Sequence, residues 1–327
     1  MRWWSATLAL ILVALFPVDA FAWGLVTHLQ IGRGLLAQTG DLLTTHAPAI
    51  LQFPMTYLYG SIAPDRFLAK NLKSYREHTH NWDRAFNMLR HAGTDDLKAF
   101  SLGYLSHLAA DVIAHNLFVP MKIMERPGMT GRRHAYWELK FEHYQPAEAW
   151  ELAARVDREV EKSLFDSFMQ MFQVPSVLTF SANMALTDRV FRVLGSARTR
   201  QLVSHLEDGS HSAMEAEEVK VYMDLAQNCV ESIVKDGVDS FATSADPRGG
   251  SRIGHARMLS KVVHRVSRKD PPAKVCNAYG QEMSQLLDDA AAVLPERPLG
   301  GMGSAEYRYL KGRTSTAARL GKKPKQK

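Results

Sequence analysis

Apolar residues recur at spacings of three and four along most of the chain, which is the period of one face of an α-helix. Proline and glycine residues separate these stretches, and alternating strand-like patterns are scarce. The clearest amphipathic segments are residues 147–172, 176–194, 213–241 and 279–294. The pattern therefore predicts an all-α domain of about seven to ten helices with residues 23–206 as its core. Residues 207–294 either complete this bundle or form a helical appendage.

One segment departs from the amphipathic pattern. Residues 100–118 form a largely apolar run that contains His107, Asp111 and His115. Residues four apart lie on the same face of an α-helix, so these side chains would form one stripe on an otherwise apolar helix. Burying two imidazoles and a carboxylate is unfavourable unless their lost hydration is replaced, and a bound divalent metal ion can replace it. The segment therefore predicts a buried metal-binding helix.

Further potential ligands lie on both sides of this helix. Nine of the thirteen histidines fall between His28 and His143. Imidazole nitrogen and carboxylate oxygen are ligands that zinc prefers, and a free α-amine can join them after losing its proton. The candidates outside the central helix are Trp23, His28, Asp65, His80, His134 and Glu138. Each is a weak signal alone, so a metal site rests on their combination.

The N-terminal residues have the features of an export signal. Arg2 precedes an apolar core at residues 8–16, and Ala20-Phe21-Ala22 has the small residues of a cleavage site. The core is shorter than the roughly 20 residues that span a bilayer, although an uncleaved anchor is the alternative. We expect residues 1–22 to be a signal peptide and the mature protein to be secreted or periplasmic. Trp23 would then be its N-terminus, with no transmembrane span after it.

The net charge of +6 is concentrated in the C-terminal tail. Residues 295–327 contain nine basic and two acidic residues, and Arg2 and Asp19 cancel, which leaves residues 23–294 near −1. A body of that charge lacks the basic surface that nucleic acid binding requires, so no specific nucleic acid partner is expected. The tail is rich in glycine and charge and poor in apolar residues, which predicts disorder.

Together these motifs resemble the zinc-dependent phospholipase C/D family. This family includes the secreted bacterial phospholipases C and the N-terminal domain of glycosylphosphatidylinositol-specific phospholipase D. The matching features, in the family's order, are Trp-Gly-x-x-Thr-His at 23–28, Pro-Asp at 64–65, His-x-x-Asp at 80–83, Gly-Tyr-Leu-Ser-His-x-x-x-Asp at 103–111 and His-x-x-x-Glu at 134–138. The resemblance implies that residues 23–294 form a multi-helix bundle like those of zinc-dependent phospholipases C and nucleases.

The resemblance also implies three zinc ions and divides the ligands among them. The three sets are His80, His107 and Asp111, with Asp65 near them; Trp23 (amine and carbonyl) and His28, with Asp111 as a bridge; and His115, His134 and Glu138.

Some of these assignments have alternatives. His78 is a rival for His80, although the Asn-Trp-Asp that follows His80 favours the latter. His115 follows Asp111 by four residues, as in the phospholipase D domain, whereas the bacterial phospholipases C place this histidine six residues on. The remaining histidines of this half, His46, His91 and His143, lack ligand-like neighbours and are predicted to be surface or capping residues.

The activity that the resemblance implies is hydrolysis of a phospholipid head-group phosphodiester at a membrane surface by a metal-activated water. Asp65 would orient or deprotonate that water, although the equivalent carboxylate binds metal in related nucleases. The sequence has neither Gly-x-Ser-x-Gly nor a phosphate-binding glycine loop, which agrees with direct attack by water. Neither C-type nor D-type cleavage is favoured by the ligands. The alternatives are a zinc-dependent single-strand nuclease or nucleotidase, and a non-catalytic zinc-stabilised domain that binds lipid.

Overall fold

The computed structural model describes residues 23–38, 46–66, 79–125, 133–159 and 214–267 of the 327-residue chain. Within these ranges the chain forms helices joined by turns, without a β-strand. The α-helices are α1 (Leu25–Gln38), α2 (Ala47–Gln52), α3 (Pro54–Gly60), α4 (Trp82–Arg90), α5 (Asp95–Ile113), α6 (Val119–Glu125), α7 (Arg133–His143), α8 (Ala147–Glu159), α9 (Ala216–Asp236) and α10 (Gly250–Ser267). The predicted all-α fold is confirmed.

Two of the predicted amphipathic segments can be compared with observed helices. α8 lies within residues 147–172, and α9 lies within residues 213–241. The other predictions fall outside the described residues, namely the helices at 176–194 and 279–294, the signal peptide and the C-terminal tail. Among the helices of the described ranges, none has the length and apolar character needed to cross a bilayer.

The described residues divide into two compact units, of which the first contains residues 23–38, 46–66, 79–108, 138–159 and 214–220. In this unit α1 packs against α3 and α8, and α3 also packs against α2 and α8. Leu29 and Leu35 of α1 are fully buried, and burial of each such side chain contributes about 2 kcal/mol. The Tyr57 hydroxyl of α3 donates a hydrogen bond to the Ser106 hydroxyl of α5 at 2.9 Å. This bond joins α3, which precedes the turn that carries Asp65, to α5, which carries His107.

The second unit contains the described residues 109–125, 133–137 and 221–267. Here α10 packs against α6 and against a π-helical turn, Ala114–Phe118, that joins α5 to α6. Phe118 in this turn packs edge-to-face on Tyr222 of α9, with ring centroids 5.0 Å apart. The Lys122 ammonium lies 5.2 Å from the centroid of the Trp137 ring. This cation–π contact partly offsets the cost of burying the lysine.

The central apolar helix is longer and less regular than its sequence pattern predicts. α5 begins at Asp95, and every residue from Ala99 to Ile113 is buried, which confirms the predicted burial on all sides. The expectation that the α-helical stripe continues to His115 is wrong, because the chain enters the π-helical turn after Ile113. At this turn the Asn116 side-chain amide donates to the Val112 carbonyl at 3.0 Å. His115 therefore lies in a π-helical turn, and α-helical spacing alone does not predict its position.

Candidate metal centre

Three side chains from separate segments of the first unit converge at one buried point. Asp65 lies in the 3-10 turn Ala63–Arg66 after α3, His80 lies just before α4, and His107 lies in α5. The Nε2 atoms of the two histidines are 3.1 Å apart. The Asp65 Oδ1 atom is 3.3 Å from the Nε2 of His80 and 3.8 Å from that of His107. The three side chains are at most 3% exposed.

Hydrogen bonds to the opposite ring nitrogens orient both imidazoles. The His107 Nδ1 atom lies 2.9 Å from the Ser61 carbonyl oxygen. Because a carbonyl oxygen only accepts, Nδ1 donates and the Nε2 of the neutral ring keeps its lone pair. The His80 Nδ1 atom lies 3.0 Å from the Thr79 hydroxyl, and the Thr79 carbonyl accepts from the Tyr104 hydroxyl. Supporting hydrogen bonds of this kind are typical of metal-binding histidines.

The spacing of the three atoms fits a bound zinc ion. Zinc binds nitrogen and oxygen at about 2.0–2.2 Å in a tetrahedron, which places neighbouring ligand atoms ~3.3–3.6 Å apart. The observed separations of 3.1, 3.3 and 3.8 Å lie close to that range. Asp65, His80 and His107 thus form a buried group whose ligand atoms all lie within 4.8 Å of one another. The donor set suits zinc both in its chemistry and in its spacing.

His28 extends this cluster within the same unit. It lies on α1, is 2% exposed, and stacks on the His107 ring with centroids 3.9 Å apart and an interplanar angle of 23°. Two protonated imidazoles this close in a low-dielectric interior would repel strongly, so the stack fits neutral rings of the kind that bind metal. Asp111 is fully buried and lies on α5, one helical turn after His107.

The first turn of α1 is held by Glu142, a residue that the sequence analysis missed. Its carboxylate accepts hydrogen bonds from the Val26 amide at 2.6 Å, the Thr27 amide at 3.1 Å and the Thr27 hydroxyl at 2.7 Å. N–H groups in a first turn have no partner within their own helix, so Glu142 of α7 caps α1 and faces the positive end of its dipole. Burial raises the pKa of Glu142 to about 7, although the bonds from Thr27 and Val26 lower it.

The remaining residues of the N-terminal motif fit around this carboxylate. A Cβ atom at Gly24 would lie 2.5 Å from the carboxyl carbon of Glu142, so a larger residue there would displace this carboxylate. Trp23 is fully buried and stacks on Phe141 with ring centroids 4.8 Å apart and an interplanar angle of 18°. Trp-Gly-x-x-Thr-His is therefore a packing and capping motif in addition to a source of candidate ligands.

The residues predicted to form the third zinc site are described in part. His115 lies in the π-helical turn, is 6% exposed, and has its Nδ1 atom 2.6 Å from the Pro247 carbonyl oxygen. Glu138 is 3% exposed on α7, and His134 precedes it by one turn of the same helix. The His134 side chain lies outside the described part of the structure, as does His78. The third ligand set therefore stays a prediction.

The histidines predicted to have no ligand role occupy helix ends. His91 is exposed at the end of α4, and its Nδ1 atom donates to the Asn87 carbonyl at 2.8 Å. His143 is half-buried at the end of α7 and donates to the backbone carbonyl one turn earlier at 2.5 Å. His46 is half-buried at the start of α2, and this burial lowers its pKa.

Comparison with known proteins bears on the same segment of the chain. The family model for zinc-dependent phospholipase C matches residues 27–174, a range that contains Asp65, His80 and His107. A stretch of 110 residues is 34% identical to an uncharacterized protein from Archaeoglobus fulgidus and covers 32% of this chain. The chain spans 28% of the length of that relative. No solved structure matches the chain itself. The resemblance to the zinc-dependent phospholipase C family is therefore confirmed over residues 27–174.

Proposed function

We propose that the protein is a zinc-dependent phosphoesterase, and specifically a phospholipase that hydrolyses a phospholipid head-group phosphodiester by attack of water. The observation that carries the proposal is the buried cluster of Asp65, His80 and His107, which lies within the range matched by the phospholipase C family. The cluster supports a metal site, and the family match supports phosphate-ester hydrolysis as its reaction.

The proposed ligands are the three sets that the family resemblance implies. They are His80, His107 and Asp111 with Asp65; Trp23 and His28 with Asp111 as a bridge; and His115, His134 and Glu138. Bound zinc would neutralise phosphate charge and lower the pKa of a water toward about 7. The stack of His28 on His107, and the position of Asp111 one turn after His107, support placing the first two sets side by side.

In this scheme Asp65 orients the attacking water and accepts its proton. Its Oδ1 atom lies 3.3 Å from the Nε2 of His80 and 3.8 Å from that of His107, so a water bound beside these histidines would lie next to this carboxylate. The Ser61 carbonyl keeps the proton of His107 on Nδ1, so that Nε2 stays available as a ligand. Burial of all three side chains excludes bulk water and strengthens these electrostatic interactions.

A lipid is the proposed substrate, and a membrane surface is the proposed place of action. Residues 23–294 carry a net charge near −1, which disfavours a polyanionic nucleic acid. The mature chain is proposed to begin at Trp23 and to act in the periplasm or outside the cell. The Ala20-Phe21-Ala22 sequence before it supports this cleavage, which N-terminal sequencing of the exported protein tests.

A substrate panel tests the proposed function. Zinc-loaded mature protein, with residues 1–22 removed, should release product from vesicles of phosphatidylcholine or phosphatidylinositol and leave single-stranded DNA intact. Diacylglycerol as the lipid product would indicate C-type cleavage, and phosphatidate would indicate D-type cleavage. Hydrolysis of DNA without hydrolysis of lipid would show that the protein is a nuclease and would contradict the proposed phospholipase activity. Inertness toward every phosphate ester with zinc bound would contradict the enzymatic proposal and favour a lipid-binding domain.

A further inference from the structure

We infer that the loop of residues 245–249, which leads into α10, positions His115 for metal binding. This inference rests on the proposed function, in which His115 is a zinc ligand. The loop lies outside residues 27–174, the range matched by the phospholipase C family. Residues of the C-terminal segment would therefore contribute to the site, although their sequence gives no indication of such a role. The loop and His115 both belong to the second compact unit.

The first contact sets which nitrogen of His115 carries the proton. Its Nδ1 atom lies 2.6 Å from the Pro247 carbonyl oxygen, and the residue is 6% exposed. A carbonyl oxygen cannot donate, so Nδ1 is the donor and the Nε2 of the neutral ring presents its lone pair. The same arrangement, with a backbone carbonyl on Nδ1, is present at His107 and Ser61. A carbonyl at this position both orients a metal-binding imidazole and makes it more basic.

The second contact fixes the loop to the π-helical turn that carries His115. The Asn116 side-chain amide donates to the Asp246 carbonyl at 2.8 Å and to the Val112 carbonyl at 3.0 Å. The amide thereby joins the loop to the end of α5. Within the loop, the Asp246 side chain accepts from the Arg248 amide at 3.1 Å, and the Asp246 carbonyl accepts from the Gly249 amide at 2.9 Å. These bonds stabilise the observed conformation of the loop.

The third contact is a close approach of two backbones. Gly249 has φ +55°, in the left-handed region, and a Cβ atom there would lie 2.2 Å from the His115 carbonyl oxygen and 2.7 Å from the His115 Cβ. Any other residue at 249 would therefore have to displace the π-helical turn. π-Helical turns are rare in proteins, and many of those that exist lie at functional sites. Such a turn changes the direction of a side chain relative to an α-helix. The loop and the turn together define the position of His115.

A matched pair of glycine variants separates this role from simple backbone strain. Gly249→Ala introduces a left-handed alanine and a collision with His115. Gly237→Ala introduces a left-handed alanine at φ +58° with no atom within 4 Å of the new Cβ, so it serves as the control. Asn116→Ala is the milder test, because it removes the amide that joins loop and turn without adding an atom.

We expect Gly249→Ala to lower the zinc content of the full-length protein by about one ion per chain, with Gly237→Ala unchanged. Asn116→Ala should weaken the most loosely held zinc by roughly ten- to a hundred-fold in a chelator competition. The visible spectrum of the cobalt-loaded protein should change in Gly249→Ala and Asn116→Ala but not in the control. Equal zinc content, zinc affinity and cobalt spectra in all three variants would overturn the inference.

The tautomer of His115 provides a readout that does not depend on bound metal. In zinc-free wild-type protein, nitrogen NMR should show His115 protonated at Nδ1, and Gly249→Ala should remove that preference. Protonation at Nε2 in the wild type would overturn the inference even if zinc binds normally. Wild-type protein with the expected tautomer but without affinity for zinc would instead contradict the proposed function and leave the positioning contact intact.

Discussion

His107→Ala is expected to lower phosphodiester hydrolysis by about three orders of magnitude or more, which corresponds to about 4 kcal/mol of transition-state stabilisation. The imidazole of His107 is in contact with each part of the cluster, since its Nε2 atom faces Asp65 and His80 and its ring stacks on His28. Its loss should remove zinc as well as activity. The measurements are kcat/KM on the substrate that the panel identifies, and zinc bound per chain.

The control for this variant is His143→Ala. His143 lies at the end of α7, where its ring bonds to a backbone carbonyl of its own helix. We expect His143→Ala to keep wild-type zinc content and activity within about two-fold, because surface and half-buried helix ends tolerate substitution. Equal damage from the two variants would contradict the assignment of His107 to the metal centre, as would full activity of His107→Ala.

Glu142→Ala is expected to lower the free energy of unfolding by about 3 kcal/mol and to weaken zinc binding. The substitution leaves the Val26 amide and the Thr27 hydroxyl without the carboxylate that accepts from them, whereas the Thr27 amide keeps its bond to the Gly24 carbonyl at 3.1 Å. Each buried donor left without an acceptor costs about 1–3 kcal/mol. The first turn of α1 should fray, and this turn leads to His28. Denaturant unfolding and zinc content measure the two effects. Wild-type stability and wild-type zinc content in this variant would show that the cap is dispensable.

Glu142→Gln keeps the shape of the side chain and removes its charge, so it tests how the charge of Glu142 affects the free energy of unfolding. Burial raises the pKa of Glu142 in the folded protein to about 7, above its ordinary value of 4.5, so the folded state holds the proton more tightly than the unfolded state. The contribution of Glu142 to stability is therefore fully present below pH ~4.5 and declines as the pH rises through about 7, by about 3 kcal/mol in all. Zinc-free Glu142→Gln should lack this decline. Parallel stability profiles of the two proteins between pH 4.5 and 8 would contradict the shifted pKa.

The buried helix that carries His107 and Asp111, the candidate metal ligands, could be predicted from sequence because its signal is local. His107 and Asp111 lie four residues apart in an apolar run, and helical periodicity places them on one buried face. The contact of His107 with Asp65 and His80 involves separate segments, and no residue spacing encodes it. The order of motifs in the zinc-dependent phospholipase C/D family predicts this contact. The structure places the Asp65 Oδ1 atom 3.3 Å from the Nε2 of His80 and 3.8 Å from that of His107.

Three features had no sequence signal that could have revealed them. Glu142 lies 115 residues from Thr27 along the chain, and a single glutamate on a helix resembles any polar surface residue until its partners are known. The π-helical turn at Ala114–Phe118 has no local motif, since its hydrogen bonding differs from an α-helix by one register step. The contact to His115 comes from the Pro247 carbonyl, a backbone atom, so the identity of residue 247 does not report it.

The most direct test of the metal centre is the zinc content of wild-type protein purified without chelator. Mass spectrometry under native conditions, or elemental analysis, should give close to three zinc ions per chain, and removal of zinc should abolish hydrolysis of the phosphodiester substrate. At least one of these ions should be lost in His107→Ala. A wild-type protein that binds no zinc, with the buried imidazoles and carboxylates in place, would contradict the central claim.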